Sequence, residues 1–314
     1  MRHCCVIGGT GFIGSHVVNK LSLRQMQVTV IGRKPIPTRA LPKTVRYAAG
    51  NFGDKHFLLD ALRGVDEIVH LGYLTVPKTS YDDPVKDILN NLPAMVILLE
   101  TAILAGVKKF VFVSTGGAIY GKCREIPIKE DHPTQPISPY GISKLTTEKY
   151  AEMFSQIKSL PVICIRPANA YGEGQKPNEE QGFIINAIAA ILRRQSITVF
   201  GKTGTVRDYI HVDDVAEGII AASTSGKLNS CYNIGSGVGR NNNDILAALY
   251  PFAKSVGLEP KVKRLPLRPF DVPFNVLDST KLIEETGWKS QISFEEGIRR
   301  TWDWCYQKHK KGEL

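Results

Sequence analysis

The run VIGGTGFIG, residues 6–14, follows two apolar residues and leads straight into a helical pattern over 12–23. Gly8, Gly11 and Gly14 recur in it at intervals of three. Glycines so placed allow a tight strand-to-helix turn. They also let the backbone approach a diphosphate at the helix N-terminus, where unpaired N–H groups favour an anion. Glycine spacing alone is weak evidence, because many tight turns carry glycines. The position after a first strand constrains much more. It predicts a dinucleotide site built from Gly8, Gly11, Phe12, Ile13 and Gly14, and a fold that begins strand–turn–helix.

The rest of the first half repeats that alternation. Strand-like apolar runs lie at 4–8, 27–32, 44–49, 67–71, 109–114 and 161–166. Helical periodicity lies between them, at 12–23, 54–63, 86–105 and 140–157. Apolar strands alternating with helices predict an α/β fold with a doubly wound parallel sheet covered on both faces. Leu71, at the end of the fourth run, is expected beside the cofactor. After about residue 168 the pattern changes to turn-rich segments, a helix near 181–194, a short strand ITVFG, and a helix near 241–256. The expected organisation is a dinucleotide-binding domain over 1–168 with returns from about 206–237. A smaller α/β substrate-binding lobe would occupy 169–205 and 238–314.

The second strand ends Ile31-Gly32-Arg33-Lys34, without the acid that would bond an NAD ribose. Gly32 leaves space, and Arg33 could meet a 2′-phosphate or merely flank an unphosphorylated ribose. NAD and NADP both stay open on these residues.

Tyr140 and Lys144, in SPYGISK, are four apart on a helix started by Ser138 as N-cap and Pro139 at its first position. They share a face. A phenol is a poor base at neutral pH. An adjacent ammonium should lower its pKa and make it a proton acceptor for an alcohol, with Lys144 free to bond a ribose as well. A lone YxxxK is common by chance; the glycine turn upstream is what favours the functional reading. Such a pair ordinarily works with a serine or threonine hydroxyl, and the stretch STGGAIYG, residues 114–121, is where it should be.

GxxGxxG, STGGAIYG, YxxxK, RPANAYG, VRDYIHVDDVAEG and YNIGSG occur here in the order of the extended short-chain dehydrogenase/reductases. Among these the chain most resembles the UDP-glucose 4-epimerase-like nucleotide-sugar epimerases, over nearly its whole length. The resemblance implies a Rossmann-type sheet, a substrate lobe, and a homodimer built on the helices near 86–105 and 140–157. It makes Tyr140 the base and Lys144 its partner. It assigns Asn91 to ordering the cofactor loop, and puts Asn51 and Phe52 near adenine. Asn169, Arg207, Arg268 and Asp271 would hold the substrate diphosphate and uridine ribose; Phe200 would line the uracil pocket. Isolated arginines are more often surface ion pairs, and Phe200 could equally be core. Asn275 falls at the pocket-size position, an intermediate side chain that leans toward tolerance of an N-acetylhexosamine. The family's catalytic hydroxyl position falls on Gly116, which has none. Thr115, after a loop shift permitted by Gly116-Gly117, or a water would take its place, or Tyr140 would work alone with Lys144.

A 4,6-dehydratase would need an Asp-Glu pair where Gly117 and Ala118 stand. An NADPH-dependent nucleotide-sugar reductase, a non-catalytic dinucleotide-binding protein, and a lipid-diphosphate-linked sugar as substrate complete the alternatives. The net charge of +10 suits anionic ligands. The aromatic residues do not alternate with Lys and Arg, so nucleic acid is not expected. The six cysteines include no CxxC pair, so neither a metal site nor a disulfide framework is expected, and a reducing cytoplasm fits. The N-terminus leaves no room for a signal peptide, no apolar run reaches membrane-spanning length, and no stable membrane insertion is expected. The tail QKHKKGEL is expected to fray.

Overall fold

The computed structural model describes residues 2–123, 125–177, 182–266 and 272–314. Its strands are β1 (His3–Ile7), β2 (Gln27–Gly32), β3 (Val45–Ala49), β4 (Glu67–His70), β5 (Lys109–Val113), β6 (Val162–Pro167), β7 (Asn169–Tyr171), β8 (Ser196–Phe200), β9 (Val206–His211), β10 (Ser230–Ile234), β11 (Gly239–Arg240), β12 (Lys261–Leu265) and β13 (Phe274–Asn275). Helices α1 (Phe12–Leu23), α2 (Lys55–Ala61), α3 (Pro77–Asp82), α4 (Pro84–Leu104), α5 (Gly116–Ile119) and α6 (Pro139–Lys158) fall between the earlier strands. The later ones are α7 (Phe183–Leu192), α8 (Val212–Ser225), α9 (Asn242–Ser255), α10 (Thr280–Thr286) and α11 (Phe294–Lys310).

Seven strands form one parallel sheet in the order β10-β6-β5-β4-β1-β2-β3. Side chains alternate across a strand, so Cys4 and Val6 pack on one face and Cys5 and Ile7 on the other. The first face is covered by Val17, Val18 and Leu21 of α1, by Val215 and Ile219 of α8, and by Leu282 of α10. The second is covered by Leu58 of α2, by Met95, Leu98 and Leu99 of α4, and by Phe154 of α6. With both faces buried the strands have no polar side, which is why they read as unbroken apolar runs. The chain leaves β1 toward β2 and β3, then returns to put β4 on β1's other side. The crevice beyond these two strand ends is the switch point where such sheets take ligands.

A separate apolar cluster joins Ile184, Ile188 and Ile191 of α7 with Ile245 and Leu249 of α9 and Ile298, Trp302 and Cys305 of α11. The short strands β7, β9, β11 and β13 make a second sheet beside the strand ends, and β8 pairs with β12. Helix α11 was not expected. It runs to Lys310 and so includes part of the tail expected to fray; Lys308, His309 and Lys310 in its last turn suit the negative end of a helix. Helix α4 also departs from expectation. By length and composition its 21 residues are enough to cross a membrane. Here one face is buried against the sheet, while Val85, Ile88 and Leu89 are exposed.

Helix α6 starts where the sequence indicated: Ser138 Oγ accepts from Gly141 N at 3.1 Å, with Pro139 at the first position. It is fixed to the sheet by a buried ion pair. Arg166 of β6 donates Nε and Nη2 to the Glu148 carboxylate at 3.2 and 2.6 Å, and Nη1 to Tyr120 Oη and the Glu130 carbonyl. Both members are under a tenth exposed. Breaking such a pair leaves a buried charge, so Arg166→Met is expected to destabilise the chain by about 3–5 kcal/mol. Urea denaturation of the two chains measures it.

Candidate active site

At the switch point the backbones meet too closely for side chains. Gly8 ends β1 with φ +84°, and a Cβ there would lie 2.8 Å from Gly72 N. A Cβ on Gly14 would lie 2.2 Å from the Gly8 carbonyl oxygen. Gly11 N donates to that same oxygen at 2.9 Å, which closes the turn. Gly11 then stands as N-cap of α1, with no capping side chain and no acid in the first turn. The positive end of a 12-residue helix is thus left to an external acceptor. These residues fit a dinucleotide diphosphate.

The turn opens onto a cavity of about 760 Å³. Gly8, Gly11, Phe12, Ile13, Gly14 and Leu71 form one part of its wall. Thr115, Gly117, Tyr140, Lys144, Asn169 and Arg207 form another. Other residues expected at the site stand apart from it. Arg33 is exposed beyond the wall. The space expected at Gly32 is filled: a Cβ there would lie 2.6 Å from Tyr47 Oη, which donates to the Lys34 carbonyl. Asn51 is exposed and turns its Oδ1 back onto Gly53 N at 3.0 Å. Phe52 is buried, its ring edge-on to His70 at 5.1 Å. Asn91 orders a different loop from the one expected. Its Oδ1 accepts from Leu74 N at 3.0 Å, and its Nδ2 donates to Thr75 Oγ1 at 3.2 Å, which ties residues 73–76 to α4 rather than the glycine turn. Arg207, on the wall, donates to the Val206 and Val272 carbonyls. Phe200 is half-buried where β8 ends beside Leu265, outside the cavity wall. Asn275 is also outside it. It is buried beneath the loop and donates Nδ2 to the Gly116 carbonyl at 3.0 Å. Arg268 and Asp271 lie outside the described residues.

The glycine at 116 has a packing cause. A Cβ there would come within 2.4 Å of Leu277 Cδ1 and 3.0 Å of the Arg166 carbonyl oxygen. That position points into the core, so it is not a vacated catalytic site, and the space holds Leu277 rather than water. Thr115 needs no loop shift. It is the extended N-cap of α5 and lines the cavity together with Tyr140.

The Tyr-Lys pair differs from the arrangement expected of it. Lys144 Nζ donates to the Val113 carbonyl at 2.9 Å and lies over the Tyr73 ring, 4.0 Å from its centroid and 5.9 Å from that of Tyr140. Burial pushes the Tyr140 phenol above its ordinary pKa; the Thr115 hydroxyl opposes this and the Asp87 charge adds to it. Burial also lowers Lys144 to about 7, against the carboxylates of Glu148 and Asp87. Desolvation therefore governs both groups, and the ammonium is not what lowers the phenol here.

Several residues of the site escaped sequence reasoning. Tyr73 packs edge-on to Tyr140 at 5.5 Å and donates to Ser143 Oγ at 2.7 Å. Ser80 Oγ accepts from Tyr140 N at 3.0 Å. Asp87 is fully buried on α4. Tyr73 and Ser80 lie outside any periodic pattern. Asp87, one helical turn before Asn91, carried a usable signal as an acid on the buried face of an apolar helix.

A glycine turn at a sheet switch point, sharing one cavity with Tyr140 and the buried Lys144, defines a dinucleotide-binding oxidoreductase-type site. Residues 4–235 match the NAD dependent epimerase/dehydratase family, and the chain belongs to it. A UDP-glucose 4-epimerase of Lacticaseibacillus casei is 34% identical, the match covering 98% of this chain and 97% of that one. Among solved structures, UDP-glucose 4-epimerase from Thermotoga maritima with UDP-glucose is 34% identical with a TM-score of 0.91, over 98% of this chain and 99% of that one. The UDP-glucose 4-epimerase of Thermus thermophilus in complex with NAD is 35% identical with a TM-score of 0.89, over the full length of both.

Gly116→Ala tests the packing at the loop. The added methyl has no free volume, so a loss of about 1–3 kcal/mol of stability is expected. A thermal melt unchanged from wild type would contradict it.

Proposed function

We propose that the chain is a nucleotide-sugar 4-epimerase that works with a bound NAD on a UDP-hexose. The observation that carries the reading is Thr115, Tyr140 and Lys144 lining the same cavity as the glycine turn. When bound, the oxidised nicotinamide supplies a hydride acceptor and donor and, beside Tyr140, a positive charge. The backbone at Gly11, Phe12 and Ile13 holds the diphosphate of that cofactor. Tyr140 takes the proton of the sugar 4-hydroxyl while hydride leaves C4, and returns it after the 4-keto sugar has turned over. A positive charge nearby is what brings a buried phenol down toward neutrality. Thr115, beside Tyr140 on the cavity wall, offers its hydroxyl to the same sugar oxygen. Lys144, held by Val113, orients the ribose. Asn169 and Arg207 contact the substrate diphosphate.

Gly117 and Ala118 support epimerisation over dehydration, because neither supplies an acid or base to remove water from C5 and C6. With Asn275 beneath the loop, the lean toward an N-acetylhexosamine loses its residue. The filled space at Gly32 removes one support for NADP, and NAD matches the family.

We also propose a homodimer through α4 and α6, which pack side by side. Ile142, Met153 and Ile157 of α6 and Val85, Ile88 and Leu89 of α4 are exposed apolar residues, of the kind found where chains associate. The units proposed remain 1–168 with 206–237 for the cofactor and the remainder for the substrate.

Mass spectrometry of ligands released by denaturation is expected to find NAD. Tyr140→Phe is expected to cut the interconversion of UDP-glucose and UDP-galactose by about 10²–10⁴-fold; full turnover in that variant would sink the assignment, and net consumption of NADPH would favour a reductase. For the dimer, the double substitution Met153→Lys with Ile157→Lys is expected to give a monomer by light scattering.

A further inference from the structure

Lys144 is buried, yet its ammonium has no acid bound to it among the described residues. Glu148, one helical turn on, is bound to Arg166 instead. Lys78, the other lysine on the cavity wall, is exposed and can be solvated by water. Lys144 cannot, and a buried charge without a partner is costly.

Its direct contacts are one carbonyl and a set of rings. Nζ donates to the Val113 carbonyl at 2.9 Å. It lies 4.0 Å from the centroid of the Tyr73 ring, 4.9 Å from that of Phe112 and 5.9 Å from that of Tyr140. A cation within about 6 Å of a ring face is attracted by the ring quadrupole, and more strongly where water is excluded. Tyr73 is the nearest of the three. An ammonium has three donors. With one on Val113 and one toward Tyr73, a third is left for a group in the cavity.

Phe112 is fixed by the sheet as a core residue of β5. Tyr73 stands on a loop, and several contacts fix it there. Its Oη donates to Ser143 Oγ at 2.7 Å, and Ser143 in turn donates to the Tyr140 carbonyl at 3.1 Å. Its ring packs edge-on to the Tyr140 ring, with centroids 5.5 Å apart. The next residue, Leu74, donates its N–H to Asn91 at 3.0 Å, and Thr75 donates its hydroxyl to Asp87. Backbone and side-chain bonds thus keep one ring face turned to one ammonium.

We infer that Tyr73 is a positioning residue for Lys144, its ring face standing in for the carboxylate that a buried ammonium would otherwise need. The ring holds Nζ on the Val113 side and within reach of the cavity. The inference rests on Lys144 being part of the reacting pair, and deepens that assignment.

The test compares full-length chains carrying Tyr73→Phe, Tyr73→Leu and Tyr73→trifluorophenylalanine. Leucine fills much of the space without a π face. Fluorination nearly keeps the shape of the ring but draws negative charge from its face. In the leucine chain kcat with UDP-glucose is expected to fall about tenfold or more, with KM within about twofold. The phenylalanine chain should recover most of that loss, and the trifluoro chain should fall between the two. The contact itself is read by NMR with ¹³Cε-labelled lysine, the Lys144 signal being assigned by its loss in Lys144→Met. Ring current from Tyr73 should place the Lys144 Hε protons upfield in the unsubstituted and phenylalanine chains, and less so in the leucine chain. A leucine or trifluoro chain that matches the phenylalanine chain in rate overturns the inference, whether both are fast or both slow. An Hε shift unmoved by Tyr73→Leu overturns it as well. If the leucine chain does not fold, the trifluoro chain decides. An unsubstituted chain that turns over no UDP-sugar would sink the epimerase reading instead, and the Hε shift would still decide this one.

Discussion

Everything at the site depends on three stretches of backbone meeting where no side chain fits. The ends of β1 and β4 and the first turn of α1 close on Gly8 and Gly14, with Gly8 as their common contact. That contact fixes where α1 begins and aims its positive end into the crevice. The crevice exists because the sheet reverses its winding between β1 and β4. The apolar strands on either side supply rigidity but no chemistry. They hold β5 and β6 at a fixed offset, and these carry the loops that bring Thr115 and Asn169 to the same cavity.

Burial sets the electrostatics of that cavity. It drives Tyr140 up and Lys144 down, so each is pushed toward its neutral form. Groups that would reverse the push are few and specific. The Thr115 hydroxyl works on the phenol, and the carboxylates of Glu148 and Asp87 work on the lysine. Glu148 is largely committed to Arg166, which also ties α6 to the sheet. One ion pair thus has a structural role, and its carboxylate also acts on the lysine.

Periodic features were legible in the sequence. The strands at 27–32 and 109–114 and the helix over 140–157 fall within a residue or two of their observed bounds, because their side chains repeat at the period of the element. The glycine turn, Tyr140 and Lys144 were legible because their spacing is itself the signal. Tyr73, Ser80 and Asp87 were not found, since each reaches the site from a separate loop or helix. Arg33 was read from the end of its strand, and Asn51, Phe52, Phe200 and Asn275 by likeness to a family pattern; none of the five stands on the cavity wall. The expectation at Gly116 failed in the same way. Counting along STGGAIYG gives the order of residues but not the turn after Thr115, which swings position 116 into the core.

The sequence by itself determined the parallel sheet, the dinucleotide turn and the Tyr-Lys pair, because apolar periodicity and glycine spacing are local properties of the chain. Tertiary structure alone decided that Thr115 lines the cavity with Tyr140, that Leu277 fills the space at Gly116, and that Lys144 faces Val113 and Tyr73 rather than the phenol. These are contacts between segments far apart in the chain. They depend on the direction each side chain takes once the backbone is packed, and spacing along the sequence does not encode that direction.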